Sequence, residues 1–219
     1  QGLTKEIAGN DRVDYGPTDI RSRHTTHFDK TEIDPRTIVK RGKDTIACLH
    51  TVPQEEFGSV RLGNWGTDYE YESMIFHYTV ESQSTAVLLI RYAMVLENPD
   101  HQETEQPRFT LEVLDSKGEP IDVECASVDF HAPTSAELND PETRALWHTN
   151  TWTGSGRSCE VTWQDWKIIG ISVEDYVGET LTIKLTSYDC GQGGHFGYAY
   201  FTMNCVRSDV DGLPWGEGS

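Results

Sequence analysis

A chain of 219 residues with 18 Lys and Arg against 36 Asp and Glu carries a formal net charge of −18. So acidic a surface repels phosphate backbones and anionic lipid, so neither nucleic-acid binding nor membrane association is expected. No apolar run approaches the ~20 residues of a spanning helix, so membrane insertion is not expected either.

Residues 1–45 are polar and charged with little periodicity, and read as an irregular arm packed on or tethered to the domain after it. Within the arm, His24-x-x-His27-x-Asp29 offers two imidazoles and a carboxylate in six residues, a candidate transition-metal set. The plainer reading is a polar arm hydrogen-bonded to the domain. From about residue 46 to 207 the texture changes to short runs of period-two alternation, the strand signal. Ser73–Val80 alternates Met74, Phe76, Tyr78 and Val80 with Ile75, His77 and Thr79. Ala86–Leu96 is apolar on both faces apart from Arg91, as a central strand would be. Phe109, Leu111 and Val113 alternate with polar residues, Asp115–Gly118 turns the chain, and Ile121–Phe130 returns.

Residues 131–158, polar and rich in Thr, Asn and Gly, read as a loop insertion with a short helix over Thr134–Leu146. Strands at Ile168–Val173 and Leu181–Tyr188 come next, with a single helical turn at Val173–Tyr176. Gly191-Gln192-Gly193-Gly194 then reads as the turn of a hairpin completed by His195–Asn204. Residues 208–219 read as a linker or tail. The pattern as a whole predicts an all-β fold, an antiparallel jelly-roll-like β-sandwich with an irregular N-terminal arm.

The five cysteines at 48, 125, 159, 190 and 205 form no CxxC pair, which fits neither a zinc knuckle nor a thioredoxin-type site. Their scatter predicts an oxidising compartment with one or two disulfides, the alternative being five buried free thiols, since Cys packs well as a small hydrophobe. In a hairpin, Cys190 and Cys205 would lie roughly 30 Å apart at ~3.3 Å per residue, far beyond disulfide reach. Cys205 is expected to meet Cys48 instead, because the first and last strands of such sandwiches often neighbour each other, and Cys190 to meet Cys125 or Cys159.

Catalytic signatures are missing: no G-x-S-x-G elbow, no H-E-x-x-H, no Walker loop and no dinucleotide fingerprint. Glu70, Glu72, Glu97 and Glu105 lie near strand ends, the raw material of a carboxylate-pair glycoside hydrolase. Among 36 acidic residues chance pairs are certain, so a hydrolase is the weakest reading. The same excess of carboxylates leaves room for a structural calcium ion, since a cation relieves their repulsion, but no cofactor is called for by the sequence. Asp209-x-Asp211-Gly212 opens like a calcium loop but does not continue as one. Trp65, Tyr69, Tyr71, Trp147 and Trp152 fall in loops or at strand ends, where a flat ring can stack on a sugar. Trp65, Tyr69, Trp152 and His195 are the candidate ligand-binding residues, His195 alternatively being a structural histidine donating to backbone.

Several strings are distinctive together: Ser59–Asn64 (SVRLGN), Tyr92–Pro99 (YAMVLENP), Glu105–Phe109 (EQPRF), Trp163–Trp166 (WQDW) and Gly193–Tyr200 (GGHFGYAY). The set resembles a domain near the N-terminus of large surface and secreted proteins of Bacteroidota. Those proteins often carry PKD or Ig-like repeats and a type IX (gliding-associated) secretion sorting domain. The resemblance covers about residues 20–205. It implies an extracellular or cell-surface location, further repeat domains downstream, and a non-catalytic adhesion role toward a glycan or a host or cell-surface protein. A purely structural capping or spacer domain is the alternative.

Overall fold

The computed structural model describes residues 24–28, 42–54, 56, 58–67, 69–81, 87–121, 127–154 and 156–206. Period-two alternation builds the strands as expected. In β5 (Arg108–Leu114) Phe109, Leu111 and Val113 are buried while Arg108, Thr110, Glu112 and Leu114 turn outward. The other strands are β1 (His24–Phe28), β2 (Gly58–Gly63), β3 (Tyr71–Thr79), β4 (Val87–Glu97), β6 (Ser127–His131), β7 (His148–Gly154), β8 (Arg157–Ser172), β9 (Thr180–Tyr188) and β10 (Gly197–Val206). They form two antiparallel sheets, of order β1-β2-β10-β4-β8-β7 and β3-β9-β5-β6. The fold is an antiparallel jelly-roll-like β-sandwich.

Between the sheets Leu88, Ile90, Tyr92, Met94 and Leu96 of β4 meet Phe109, Leu111 and Val113 of β5 and Leu181, Ile183 and Leu185 of β9. The alternate residues of β4, Ala93 and Val95, face a second apolar layer on the far side of the six-stranded sheet. There Ile46, Ala47 and Leu49 cover Val161, Trp163, Phe196, Tyr198 and Tyr200. One carboxylate ties this cover down. Asp44 accepts from the Tyr198 and Tyr200 hydroxyls at 3.0 and 2.7 Å and from the backbone of Ile46 and Ala47 at 2.7 and 2.6 Å. β4 is thus buried on both faces, which is why its sequence shows no alternation.

The structure departs from the sequence reading in three places. The arm is not wholly irregular, because residues 24–28 form an edge strand on β2. The 131–158 stretch contains α1 (Pro141–Leu146) and the edge strand β7, which pairs with a β8 that already begins at Arg157. Its Thr-rich composition reflects a solvated edge rather than a loose insertion. The third difference matters most: β9 and β10 do not form a hairpin. β9 lies between β3 and β5 in one sheet and β10 between β2 and β4 in the other, so residues 189–196 cross from sheet to sheet. The helical turn at Glu174–Tyr176 falls where expected.

Candidate functional site: the corner where the chain crosses between sheets

Because the β9–β10 connection leaves one sheet for the other, it carries polar backbone over a corner of the sandwich. Glycine is required at one point of it. Gly193 has φ +73°, and a Cβ there would collide with the ring of Tyr69, which lies flat against it. Tyr69 itself holds φ +60° and is 68% exposed. The connection is fastened by Gly191 N–H to the Glu105 carbonyl (2.9 Å) and by Asp189, whose carboxylate accepts from the backbone of Glu70 and Gly197 at 3.2 Å each.

Strand register sets the outer face beside this corner. Tyr71 of β3 stands opposite Tyr188 of β9, and Tyr188 opposite Arg108 of β5, which pairs in turn with His131 of β6. The Tyr71 and Tyr188 rings stack at 5.8 Å between centroids and 25° between planes, and Tyr71 is 37% exposed. Arg108 donates to Asp129 at 2.9 Å and to the Glu103 carbonyl at 2.8 Å. Together with Thr104, Gln106, Thr110, Asp189 and Gly191, the residues Tyr188, Arg108 and Asp129 line a recess of about 400 Å³. Gln106 is 1% exposed. Its amide N–H donates to Asn98 at 3.2 Å, while its buried Oε1 has no hydrogen-bond partner. A ring platform and a guanidinium–carboxylate pair therefore border one opening, with the buried Gln106 in its lining.

Beneath the connection lies a second group. Cys190 Sγ is 3.2 Å from His195 Nδ1, the His101 ring meets His195 edge-on at 5.0 Å between centroids, and His101 Nδ1 is buried without a partner. On its other side His195 Nε2 faces Glu97 Oε1 at 4.0 Å. Glu97 is 1% exposed, and both its oxygens are taken by Arg157 at 2.7 and 2.6 Å. Burial lowers the His195 pKa, Glu97 opposing and His101 and Arg157 assisting. Cys159, also beside Glu97, has its thiol pushed up to about 12 by burial and then by that carboxylate.

The residues singled out from sequence are dispersed. Tyr69 and His195 both belong to this corner, one outside and one beneath. Trp65 is half-buried against Tyr198 with Arg61 over its face at 4.8 Å, and Trp152 packs edge-on to Phe196 at 5.6 Å, so both serve the second apolar layer. Positions 24 and 27 sit on β1 opposite Leu62 and Ser59. An odd spacing on a strand puts two positions on opposite faces of a sheet; Asp29 lies outside the described residues. The thiols of Cys48, Cys159 and Cys190 are free, so the expected bridges at these positions are not formed. Cys190 instead turns to His195, and Cys48 is exposed on the cover. Cys125 and the Cys205 side chain lie outside the described residues, as does the Asp209–Gly212 stretch.

Of the four acids considered for hydrolysis, Glu97 is held by Arg157, Glu72 is buried opposite Ser187, and Glu105 is bound to the connection, accepting from Gln192 at 3.1 Å. Glu70 hands its backbone N–H to Asp189. A larger recess of about 460 Å³ lies against the cover, lined by His50, Arg91, Trp166 and Ile168 among others. Its tryptophan is tied to the cover: Trp166 Nε1 donates to the His50 carbonyl at 2.8 Å. Sequence reasoning did not single out Tyr188, Arg108, Asp129 or Gln106 as site residues. The outward parity of positions 71, 108 and 188 was readable, but their alignment needs the register.

No protein-family model matches the chain, and no curated protein does. Among solved structures it is similar to TmCBM61, solved with β-1,4-galactotriose, at 10% identity and TM-score 0.41, over 91% of this chain and 87% of the other. It is also similar to CBM27-1 of Caldicellulosiruptor saccharolyticus, solved with mannohexaose, at 11% identity and TM-score 0.33, over 72% and 78%. A third is peanut lectin, at 12% identity and TM-score 0.31, over 84% and 98%.

Proposed function

We propose that the chain is a non-catalytic glycan-binding β-sandwich module whose site is the tyrosine-flanked recess on the outer face of the four-stranded sheet. The observation that carries this reading is the stacked, solvent-facing Tyr71–Tyr188 pair at the edge of a polar opening. Sugars present flat C–H faces and a rim of hydroxyls. An aromatic platform takes the first through its apolar face, and Arg108 and Asp129 suit the second. The module acts outside the cell, as part of a longer surface protein of the Bacteroidota type that the Ser59–Asn64 and Gly193–Tyr200 strings resemble.

The test is a glycan array followed by calorimetry on any hit. Losing a ring contact worth about 1–2 kcal/mol makes Tyr188→Ala weaken binding roughly 5- to 30-fold. Asp129→Ala weakens it comparably, while Trp152→Ala leaves it unchanged. A hit insensitive to Tyr188 and Asp129 moves the site elsewhere and refutes this assignment. The alternative, a spacer domain, is favoured by one observation: none of the five described tryptophans is fully exposed. It is the reading left standing if no glycan binds.

A further inference from the structure

We propose that His101, Cys190 and His195 form a binding site for a divalent transition-metal ion of the zinc class. Their ligand atoms all lie within 4.8 Å of one another. Tetrahedral zinc with bonds of 2.3 Å to sulfur and 2.0–2.1 Å to nitrogen sets S···N at about 3.6 Å and N···N at about 3.3 Å. The Cys190–His195 pair, at 3.2 Å, is already within a few tenths of an ångström of that spacing. Only His101 must close in, by about 1 Å or somewhat more; its Nδ1 holds no hydrogen bond that would resist a turn of the ring.

The surroundings suit the ion as well as the donors do. With Nδ1 of His195 turned to the sulfur, its Nε2 points toward Glu97. At 4.0 Å that carboxylate is beyond hydrogen-bond length and favours the ligated imidazole through its charge alone. The Gly194 N–H approaches Cys190 Sγ at 3.4 Å, a donor that favours thiolate. On ligation the Cys190 thiol proton leaves to solvent, and the two imidazoles donate lone pairs without changing charge. Three protein donors leave the fourth position to water or an incoming ligand. The ion would join the stretch after β4, which bears His101, to the β9–β10 connection, which bears the other two.

A simple S–H···N hydrogen bond is the competing account, and metal titration separates them. The reduced 219-residue chain, stripped by chelator, is titrated with Co²⁺ and then Zn²⁺. One equivalent of cobalt is expected to bring a sulfur-to-cobalt charge-transfer band and strong visible bands, both erased by one equivalent of zinc. Cys190→Ser removes the charge-transfer band and weakens zinc binding 100-fold or more. His101→Gln weakens it at least tenfold while leaving the circular dichroism and Tm of the metal-free chain unchanged, which shows that the loss is not misfolding. Cys48→Ser and His77→Gln bind as the parent does. A cobalt spectrum without the sulfur band, one that survives Cys190→Ser, or one lost with Cys48→Ser overturns the proposal.

Discussion

Replacing Asp44 with alanine removes the buried carboxylate that ties the covering segment 42–54 to Tyr198 and Tyr200 of the six-stranded sheet, leaving the Asn150 and Trp166 side-chain bonds to the Ile46 and His50 carbonyls in place. The carboxylate is buried and accepts from two tyrosine hydroxyls and two backbone amides at 2.6–3.0 Å. Hydrogen bonds to a charged acceptor contribute about 1.5–3 kcal/mol each, but they do not sum: the cover can loosen and admit water. Breaking a buried charged network from one side costs about 3–5 kcal/mol. At about 2–4 °C per kcal/mol for a chain of this size, Tm falls by about 6–20 °C. Urea unfolding and calorimetry read the loss directly, and hydrogen exchange locates it, with the Ile46 and Ala47 amides losing protection first.

Tyr198→Phe removes only one donor and costs about 1 kcal/mol. Burial, reinforced by the Asp44 charge, raises the pKa of both phenols well above the usual range. Neither is therefore expected to ionise before the protein unfolds. An Asp44→Ala variant that loses under 1 kcal/mol, or keeps those two amides protected, would show that apolar contact and the Asn150 and Trp166 bonds hold the cover without it and refute the anchoring role.

Gly193→Ala is expected to destabilise by about 1–2 kcal/mol, because φ +73° penalises a side chain; it also pushes the Tyr69 ring aside. An unchanged or raised Tm, which Gly→Ala gives at a tolerant site, would mean that the connection is not held there. Glu137 forms a capping box with Thr134 and touches His131 at 3.1 Å. Burial alone would raise its pKa, but the Thr134 backbone N–H and hydroxyl and then His131 outweigh it, so the folded value is lowered. Its contribution is accordingly full above the unfolded carboxylate pKa of about 4.3 and fades as pH falls through the folded value. Glu137→Gln is expected to flatten the acid limb of stability against pH, and carboxyl NMR titration checks the shift. Cys159, at about 12, has about one thiol in ten thousand ionised at pH 8. Peptide mapping after brief iodoacetamide treatment should find exposed Cys48 alkylated well before Cys159.

Strand existence was legible because alternation is local: the β5 pattern around Phe109, Leu111 and Val113 needs no partner to be read. Partner choice was not. Leu181–Tyr188 and the strand after Gly194 look like a hairpin, and only the global packing sends them to different sheets. The Thr134-x-x-Glu137 capping box, not singled out from the sequence, stands at the Glu137–Asn139 turn inside the stretch read as helical. The candidate site was half legible. Tyr69 and Tyr71 showed themselves as aromatics near a strand start, but Tyr188 becomes a platform only when register sets it between Tyr71 and Arg108. Trp65 and Trp152 misled for a related reason. A sandwich normally leaves the outer face of a sheet to solvent, whereas here residues 44–49 cover it and absorb rings that would otherwise be free.

The glycine-rich run after Cys190 shows how the crossing concentrates chemistry at one corner. A two-residue hairpin would need glycine for turn geometry alone. Here Gly193 is needed because Tyr69 lies on it, and Gly197 because a Cβ would come within 2.5 Å of the Tyr188 carbonyl and press on Leu96 and Pro107. Both are demands for close approach between layers. A segment squeezed in this way presents one side outward and one inward: Asp189 and Gly191 border the recess, while Cys190, buried between them, and His195 meet beneath it. The two sites are therefore faces of one connection, and whatever immobilises the inner face also holds the outer one in shape. A recess formed on a glycine-rich segment binds weakly unless that segment is ordered beforehand, since ordering would otherwise be charged to the ligand. The Asp189 carboxylate, the Gly191–Glu105 bond and the His–Cys group supply that order from three sides.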